Sequence, residues 1–262
     1  MSELTRPTST SLVRELLQLP DACTVSQRIS KVALTEHADL TAGDRKTLQN
    51  DVQSVTVIAV VEPYSSGIPG FQGRTPDELE RDYAEIHVLD VAFSEGVRQS
   101  SAQRFVEVLH RAIPNPIVVL AFTYDGIYLS LAPKHISAAA HSRVVLDRIT
   151  AISAQELLSE PGLLGLGAQR TPHLEGLYRS WESRILALQL ARVWDVEPRQ
   201  ILRRGVDDSL PALLQEQRSI SQQVQILQNQ LRKEKQMSDR VALNTRIHTL
   251  RGRIQQTKDK FG

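Results

Sequence analysis

Apolar residues near the end of the chain recur at spacings of three and four. Ile220, Val224, Leu227 and Leu231 form one series, and Leu243, Ile247, Leu250 and Ile254 form a second. Such spacing places a stripe along one helix face, which has to be buried against another helix. No Gly or Pro stands between Pro211 and Gly252, so no strand is expected there. Between the series, "LRKEKQMSDRVALNTRI" (Leu231 to Ile247) replaces apolar residues with charge and amide. The twelve steps from Leu231 to Leu243, at about 100° each, rotate the stripe by roughly 120°. The two stripes therefore do not line up on one straight helix. Two arrangements stay open: a continuous helix of about 70 Å whose halves face different partners, or a hairpin bent near Ser238. The hairpin is the preferred expectation, because it buries Val224, Leu227 and Leu231 against Leu243, Ile247 and Leu250 of the same chain.

Upstream, the pattern predicts a different texture. "TSLVRELLQL" has helical spacing at Leu12, Val13, Leu16 and Leu17, and Pro20 ends it. "TVSQRISKVALTEHA" reads as a second helix capped by Thr24 or Ser26, and "TAGDRKTLQNDV" as a third opening at a threonine. "SVTVIAVVEP" (Ser54 to Pro63) is β-branched and continuous, a buried strand. The Gly, Pro and Ser of "YSSGIPGFQGRTPDELERD" predict a long loop over 64–82. "AEIHVLDVAF" alternates as a strand, with Ile86 and Val88 on one side and Glu85, His87 and Leu89 on the other. "SSAQRFVEVLHRAI" is an amphipathic helix, and "PIVVLAFTYDGIYLSLAP" is a hairpin turning at "YDG". "SEPGLLGLGAQRTPH" marks a boundary, followed by a helix with Tyr178, Trp181, Ile185, Leu188 and Ala191 on one side. The expected class is α+β: a mixed β-β-α-β-β domain with flanking helices over 1–158, a linker and helix over 159–208, and a coiled coil or antiparallel helical hairpin over 209–262.

Composition changes this picture little. The 262 residues are 41% hydrophobic and 23% charged, an ordinary balance for a water-exposed domain. No apolar run approaches the roughly 20 residues that span a bilayer. The N-terminus lacks an apolar signal core, and a cytoplasmic location is expected. Cys23 is the single cysteine, which excludes an intramolecular disulfide and a cysteine-rich zinc site. Charge is more informative. From Leu231 onward nine Lys or Arg face three acids, a balance of +6, which leaves −5 for the rest of a chain of net charge +1. Arg232, Lys233, Lys235, Arg240, Arg246, Arg251 and Arg253 are candidate phosphate contacts on DNA.

Local motifs for chemistry are sparse. The seven histidines show no metal-binding spacing, and His135 and His141 stand six apart around small residues. No GxSxG elbow occurs, and "GLLGLG" (Gly162 to Gly167) lacks the Lys-Ser/Thr pair of a phosphate loop. One carboxylate constellation remains. Strand, loop, strand, helix, strand is the order of restriction-endonuclease-like nucleases, which hold magnesium with acids on two strands and an acid-x-Lys element. Glu62, Asp82, Glu85 and Asp90 are the candidate acids and Lys134 the candidate lysine, although no lysine follows Glu85 or Asp90 at the required spacing. Otherwise no metal and no cofactor is expected.

Several segments carry a family resemblance. "RISKVALTEHADL" leads to the first strand, "YAEIHVLDVAF" is a glutamate-led strand, and "HRAIPNPIVVLAFTYDGIYLSLAPKH" joins a helix ending in Ile-Pro to an apolar strand and a late lysine. With Ser30 and Lys31, Glu85, Ile86 and Val88, Ile113 and Pro114, and Lys134, the chain resembles the bacterial domain-of-unknown-function family numbered 4391. The tail, with Glu234, Gln236, Val241, Leu243 and Asn244, is similar to that family's C-terminal pattern. Ser30 replaces the usual proline and His87 a common glutamine. The resemblance implies no reaction. It implies a setting beside DNA methyltransferases and helicase-like ATPases in mobile or phage-defence gene clusters. Three functions follow as expectations. The first is a non-catalytic adaptor or assembly subunit working with a methyltransferase or helicase-like subunit, with the C-terminal stripes as partner or homodimer interface. The second is direct DNA binding by the basic arm, and the third a divergent magnesium nuclease.

Overall fold

A computed structural model describes residues 9–37, 40–137, 144–203 and 209–260. It divides into two compact units, Met1–Glu182 and Ser183–Gly262. The expected boundary near residue 158 falls inside the first of these. The chain beyond 158 stays with it because Leu174, Leu177, Tyr178 and Trp181 are all completely buried there.

The first unit opens with α1 (Ser9–Leu17), a strand β1 (Thr24–Arg28), and two short helices, α2 (Lys31–His37) and α3 (Ala42–Asn50). Its main sheet continues with β2 (Val52–Val61). After α4 (Pro63–Ser66) come β3 (Phe71–Arg74), β4 (Glu80–Tyr83) and β5 (Ile86–Phe93). Helix α5 (Gln99–Ala112) crosses over to β6 (Ile117–Thr123), which turns into β7 (Gly126–Leu131). Then follow β8 (Lys134–Ile136), β9 (Val144–Leu146), β10 (Thr150–Ser153) and α6 (Ala154–Leu158). Six strands form one sheet in the order β1-β2-β5-β6-β7-β10, and four form a second in the order β3-β4-β8-β9. Among the described residues only β5 and β6 pair in parallel, since α5 carries the chain back to the starting end.

Both faces of the six-stranded sheet are covered. Leu89, Val91, Phe93, Ile117, Val119 and Ala121 pack against Ala102, Phe105, Val106 and Leu109 of α5, with Leu34, Leu40 and Leu48 beside them. Ile86, Val88, Val118 and Leu120 alternate to the opposite face and are also fully buried. This corrects the simple alternation read for β5: Leu89 is as buried as its neighbours, because α5 lies over it.

Two further sequence expectations are corrected. Thr24–Arg28 is an edge strand and no part of a helix, paired antiparallel with β2. The helix starts only at Lys31, where Ser30 Oγ accepts the Ala33 amide at 3.0 Å. Pairing with β2 has overridden local propensity. Residues 64–82 are no open loop either. They hold α4 and the β3/β4 hairpin, whose turn is closed by Thr75 N donating to Leu79 O at 3.1 Å. By contrast the threonine start of α3 holds: Thr41 and Asp44 form a reciprocal capping box.

The second unit contains the end of α7 (Leu174–Trp194), then α8 (Pro198–Leu202), α9 (Leu210–Lys233) and α10 (Met237–Asp259). Trp194, buried with Leu190, Ile201, Leu210 and Leu214, forms its base. Trp194 Nε1 donates to Gln217 Oε1 at 3.1 Å, and Lys258 Nζ donates to Trp194 O at 2.8 Å, closing the C-terminus of α7. Ile220, Val224, Leu227, Ile247 and Leu250 bury one another, with Leu231, Leu243 and Ile254 packed alongside. The hairpin expectation therefore holds over the continuous helix. The bend lies at residues 234–236, however, and not at Ser238. Glu234 Oε1 accepts the amides of Lys235 and Gln236, both at 2.8 Å, so a carboxylate does the work that Gly or Pro does elsewhere. No described helix is long and apolar enough to cross a membrane.

Candidate functional site

The first unit contains a cavity of about 210 Å³ lined by Asp82, Glu85, Asn115, Lys134 and His135, with Pro114, Pro116, Ile136 and Val144 among its apolar walls. Four pieces of chain supply these residues: the end of β4, the start of β5, the turn between α5 and β6, and β8 with β9. The parallel β5/β6 pair brings the first three together. His87 N donates to Pro116 O at 2.9 Å, so the segment around Glu85 runs beside the Pro114–Pro116 turn.

Lys134 is 3% exposed, and both its backbone and its amine are held by hydrogen bonds. Its amide donates to Tyr83 Oη at 3.0 Å, and its carbonyl accepts from Arg81 Nη1 at 2.8 Å. Tyr83 stands edge-on to Tyr178, ring centres 5.6 Å apart, and the Tyr178 hydroxyl ties Ala132 N to Ile117 O. The Lys134 amine donates to the carbonyls of Ile113 at 2.6 Å and Asn115 at 2.7 Å. Ile113 is the C-cap of α5, so the lysine meets the negative end of the helix dipole. Burial pushes the amine down from its usual 10.5 to about 7. His110, fully buried on α5 and paired to Ser130 at 3.0 Å, is held neutral by burial and by the nearby lysine.

Two polar clusters flank this lysine. Glu85 Oε1 accepts from Asn115 Nδ2 at 2.7 Å and meets His87 Nε2 at 2.8 Å. On the other side His135 Nδ1 meets Asp147 Oδ1 at 2.6 Å, and Asp147 Oδ2 accepts from Arg81 at 2.8 Å. Arg81 is completely buried, pairs also with Asp77 at 2.9 Å, and lies 3.9 Å from Glu175. Burial alone would raise the Asp77 carboxyl. Hydrogen bonds from Thr75 and Arg81 hold it down at about 2.

Of the nuclease candidates, Asp82, Glu85 and Lys134 line this one cavity. Glu62 and Asp90 are not among its walls. Glu62 follows β2 as the N-cap of α4, its amide donating to Ser65 Oγ. Asp90 is half-buried in β5, bonded to the Ser9 hydroxyl, and burial raises its carboxyl. Among the described residues no group of three or more His, Cys, Asp or Glu is placed to hold a metal ion. The Lys134 amine is committed to two carbonyls, away from the role of a phosphate contact. His141 lies outside the described residues. Asn115, His135 and Asp147 were not legible as site residues; the only hint was His135 following Lys134.

In the second unit Arg232, Lys233, Lys235, Arg240, Arg246, Arg251 and Arg253 are all exposed. Among the described residues only Arg253 of these seven forms an ion pair, with Glu216 at 3.1 Å. At about 100° per residue, Arg246 and Arg253 flank the α10 stripe on one side and Arg240 and Arg251 on the other. Arg232, Lys233 and Lys235 gather at the bend, next to exposed Met237 and Val241.

The model of a domain of unknown function, DUF4391, matches residues 17–254, most of the chain. The protein belongs to the DUF4391 family. No curated protein and no solved structure matches it. Three features that carried the resemblance, far apart in this DUF4391 chain, meet at one place: Lys134 bonds to Ile113, and through the Asn115 turn to Glu85.

Proposed function

We propose that this DUF4391 protein is a DNA-binding assembly subunit whose C-terminal hairpin is the DNA-contacting arm. The observation that supports it is the exposure of seven cationic side chains on a hairpin whose apolar stripe is already closed within one chain. With Ile220, Val224, Leu227, Leu231, Leu243, Ile247, Leu250 and Ile254 packed on one another, a homodimer through that stripe is not needed to bury it. The outer, basic surface is what the arm offers a partner, and a phosphate backbone has the complementary charge. The acting partner, in the setting that the resemblance implies, is a methyltransferase or helicase-like subunit, with this protein as the non-catalytic adaptor between it and DNA. The nuclease reading draws less support, because Glu62 and Asp90 stand apart from the cavity that Asp82, Glu85 and Lys134 share.

Fluorescence anisotropy with a labelled duplex tests the proposal. Binding is expected to weaken steeply with salt, and the Arg240→Gln, Arg246→Gln, Arg251→Gln triple variant to bind at least tenfold more weakly with a shallower salt slope. Equal binding by the variant, or none by the wild type at low salt, would sink it.

A further inference from the structure

The chain has seven lysines, and Lys134 is the buried one; Lys31, Lys46, Lys233, Lys235, Lys258 and Lys260 are exposed or half-buried. A lysine nitrogen has four tetrahedral positions. In Lys134 one is its own carbon and two are filled by the carbonyls of Ile113 and Asn115. The described residues place no hydrogen-bond partner on the fourth. In an ammonium that position is a buried N–H without an acceptor, whereas in a neutral amine it is the lone pair. The pKa of about 7 agrees with this count, so much of the amine is nucleophilic at neutral pH. Lys134 also lines the cavity, whose Pro114, Pro116, Ile136 and Val144 walls suit a short carbon skeleton. Glu85 and His135 lie in the same lining, and His135 is oriented by Asp147.

We propose that Lys134 is a covalent capture site for a small aldehyde or ketone, which enters the Glu85–His135 cavity and condenses with Nζ to an imine. The nitrogen lone pair attacks the carbonyl carbon, and the carbonyl π pair moves to oxygen, which takes a proton from His135. The surplus proton on nitrogen passes to the Glu85 carboxylate. The hydroxyl then leaves as water, taking a second proton relayed from Glu85, as the nitrogen pair forms C=N. His135 regains its proton from solvent, and the C=N nitrogen keeps its one remaining hydrogen, so the product is already the protonated imine. Amine, carbonyl and one proton from solvent have become protonated imine and water, with nothing oxidised or reduced. The protonated imine keeps one N–H for one of the two backbone carbonyls. This site is independent of the DNA-binding arm.

The test is reductive trapping of the folded full chain with propanal and cyanoborohydride at pH 7, followed by peptide mapping. Lys134 is expected to be alkylated at least tenfold faster than any of the six other lysines. Labelling confined to those six, with the Lys134 peptide unmodified, overturns the proposal. Lys134→Arg should lose the fast site and keep the six slow ones. Should that variant fail to fold, the wild-type pH profile decides. Labelling of Lys134 relative to the surface lysines is expected to fall as pH rises from 7 to 10, because its amine is already neutral while theirs are still losing protons. A constant ratio overturns the proposal. His110, Tyr83, Arg81, Asp82, Glu85 and His135 are ionisable groups around this amine, and of these Asp82, Glu85 and His135 line the cavity.

Discussion

Lys134 Nζ lies 2.6 Å from the carbonyl oxygen of Ile113, so a lysine at the start of a strand in the small sheet closes the end of a helix on the large one. With the neighbouring bond to the Asn115 carbonyl, that contact ties the small sheet to the helix on the large one, and it has consequences for stability.

Removing the amine should leave the Ile113 and Asn115 carbonyls without their donor. Each buried acceptor so abandoned costs about 1–3 kcal/mol. Lys134→Met is expected to lower the urea midpoint accordingly with an unchanged slope, as measured by circular dichroism.

The same lysine predicts a pH dependence. Its pKa is about 7 in the folded chain and 10.5 when unfolded, so between those values the unfolded state holds more protons. Stability contributed by this group is complete above pH 10.5 and is lost as pH falls to 7, below which it is flat. His110 acts lower. Held neutral by burial, it withdraws stability as pH falls below 6.5, where the unfolded imidazole charges. Melting temperatures across pH 5 to 10 should show both slopes, the upper one missing in Lys134→Met and the lower one in His110→Asn.

Arg81 is the second anchor. Its guanidinium serves Asp77, Asp147 and the Lys134 carbonyl while fully buried. Arg81→Ala takes the guanidinium from Asp147 and leaves Asp77 with Arg179 at 3.9 Å, a loss of about 3–5 kcal/mol. Arg81→Lys should rescue little of it, since an ammonium cannot span the partners of a planar fork. Denaturant titration of the two variants compares them directly.

At the bend of the arm, Glu234→Ala removes the acceptor of two amides. The cost should be about 1 kcal/mol, on the scale of a lost helix cap. Hydrogen exchange should show it as faster exchange at Lys235 and Gln236, with the β-sheet amides unchanged.

Elements whose signal is local were legible from the residues. The helical period of Phe105, Val106 and Leu109, the Asp125-Gly126 turn and the Thr41 cap each state their own structure. β1, β3 and β4 state theirs only through a neighbour. Thr24–Arg28 is exposed along its whole length, and nothing in it but pairing to β2 makes it a strand. In β4 the buried residues are Arg81 and Tyr83, and an arginine does not announce an inward-facing position. The cavity was hidden for a related reason. Glu85 and Lys134 could be singled out, but what links them is the backbone oxygen of Ile113 and the turn at Asn115. A main-chain carbonyl has no letter in the sequence.

The arm has a further property. From Glu216 onward α9 packs along α10, with Glu216 beside Arg253 near one end and Leu231 and Leu243 in the shared apolar cluster. Loss of α10 after a cut at the bend would strip Ile220, Val224 and Leu227 of the cover that Ile247 and Leu250 give them, while leaving α9 attached to the rest of the chain. The nicked rod would then carry a sticky apolar edge. Proteolysis at the exposed bend would accordingly register as aggregation rather than as simple shortening.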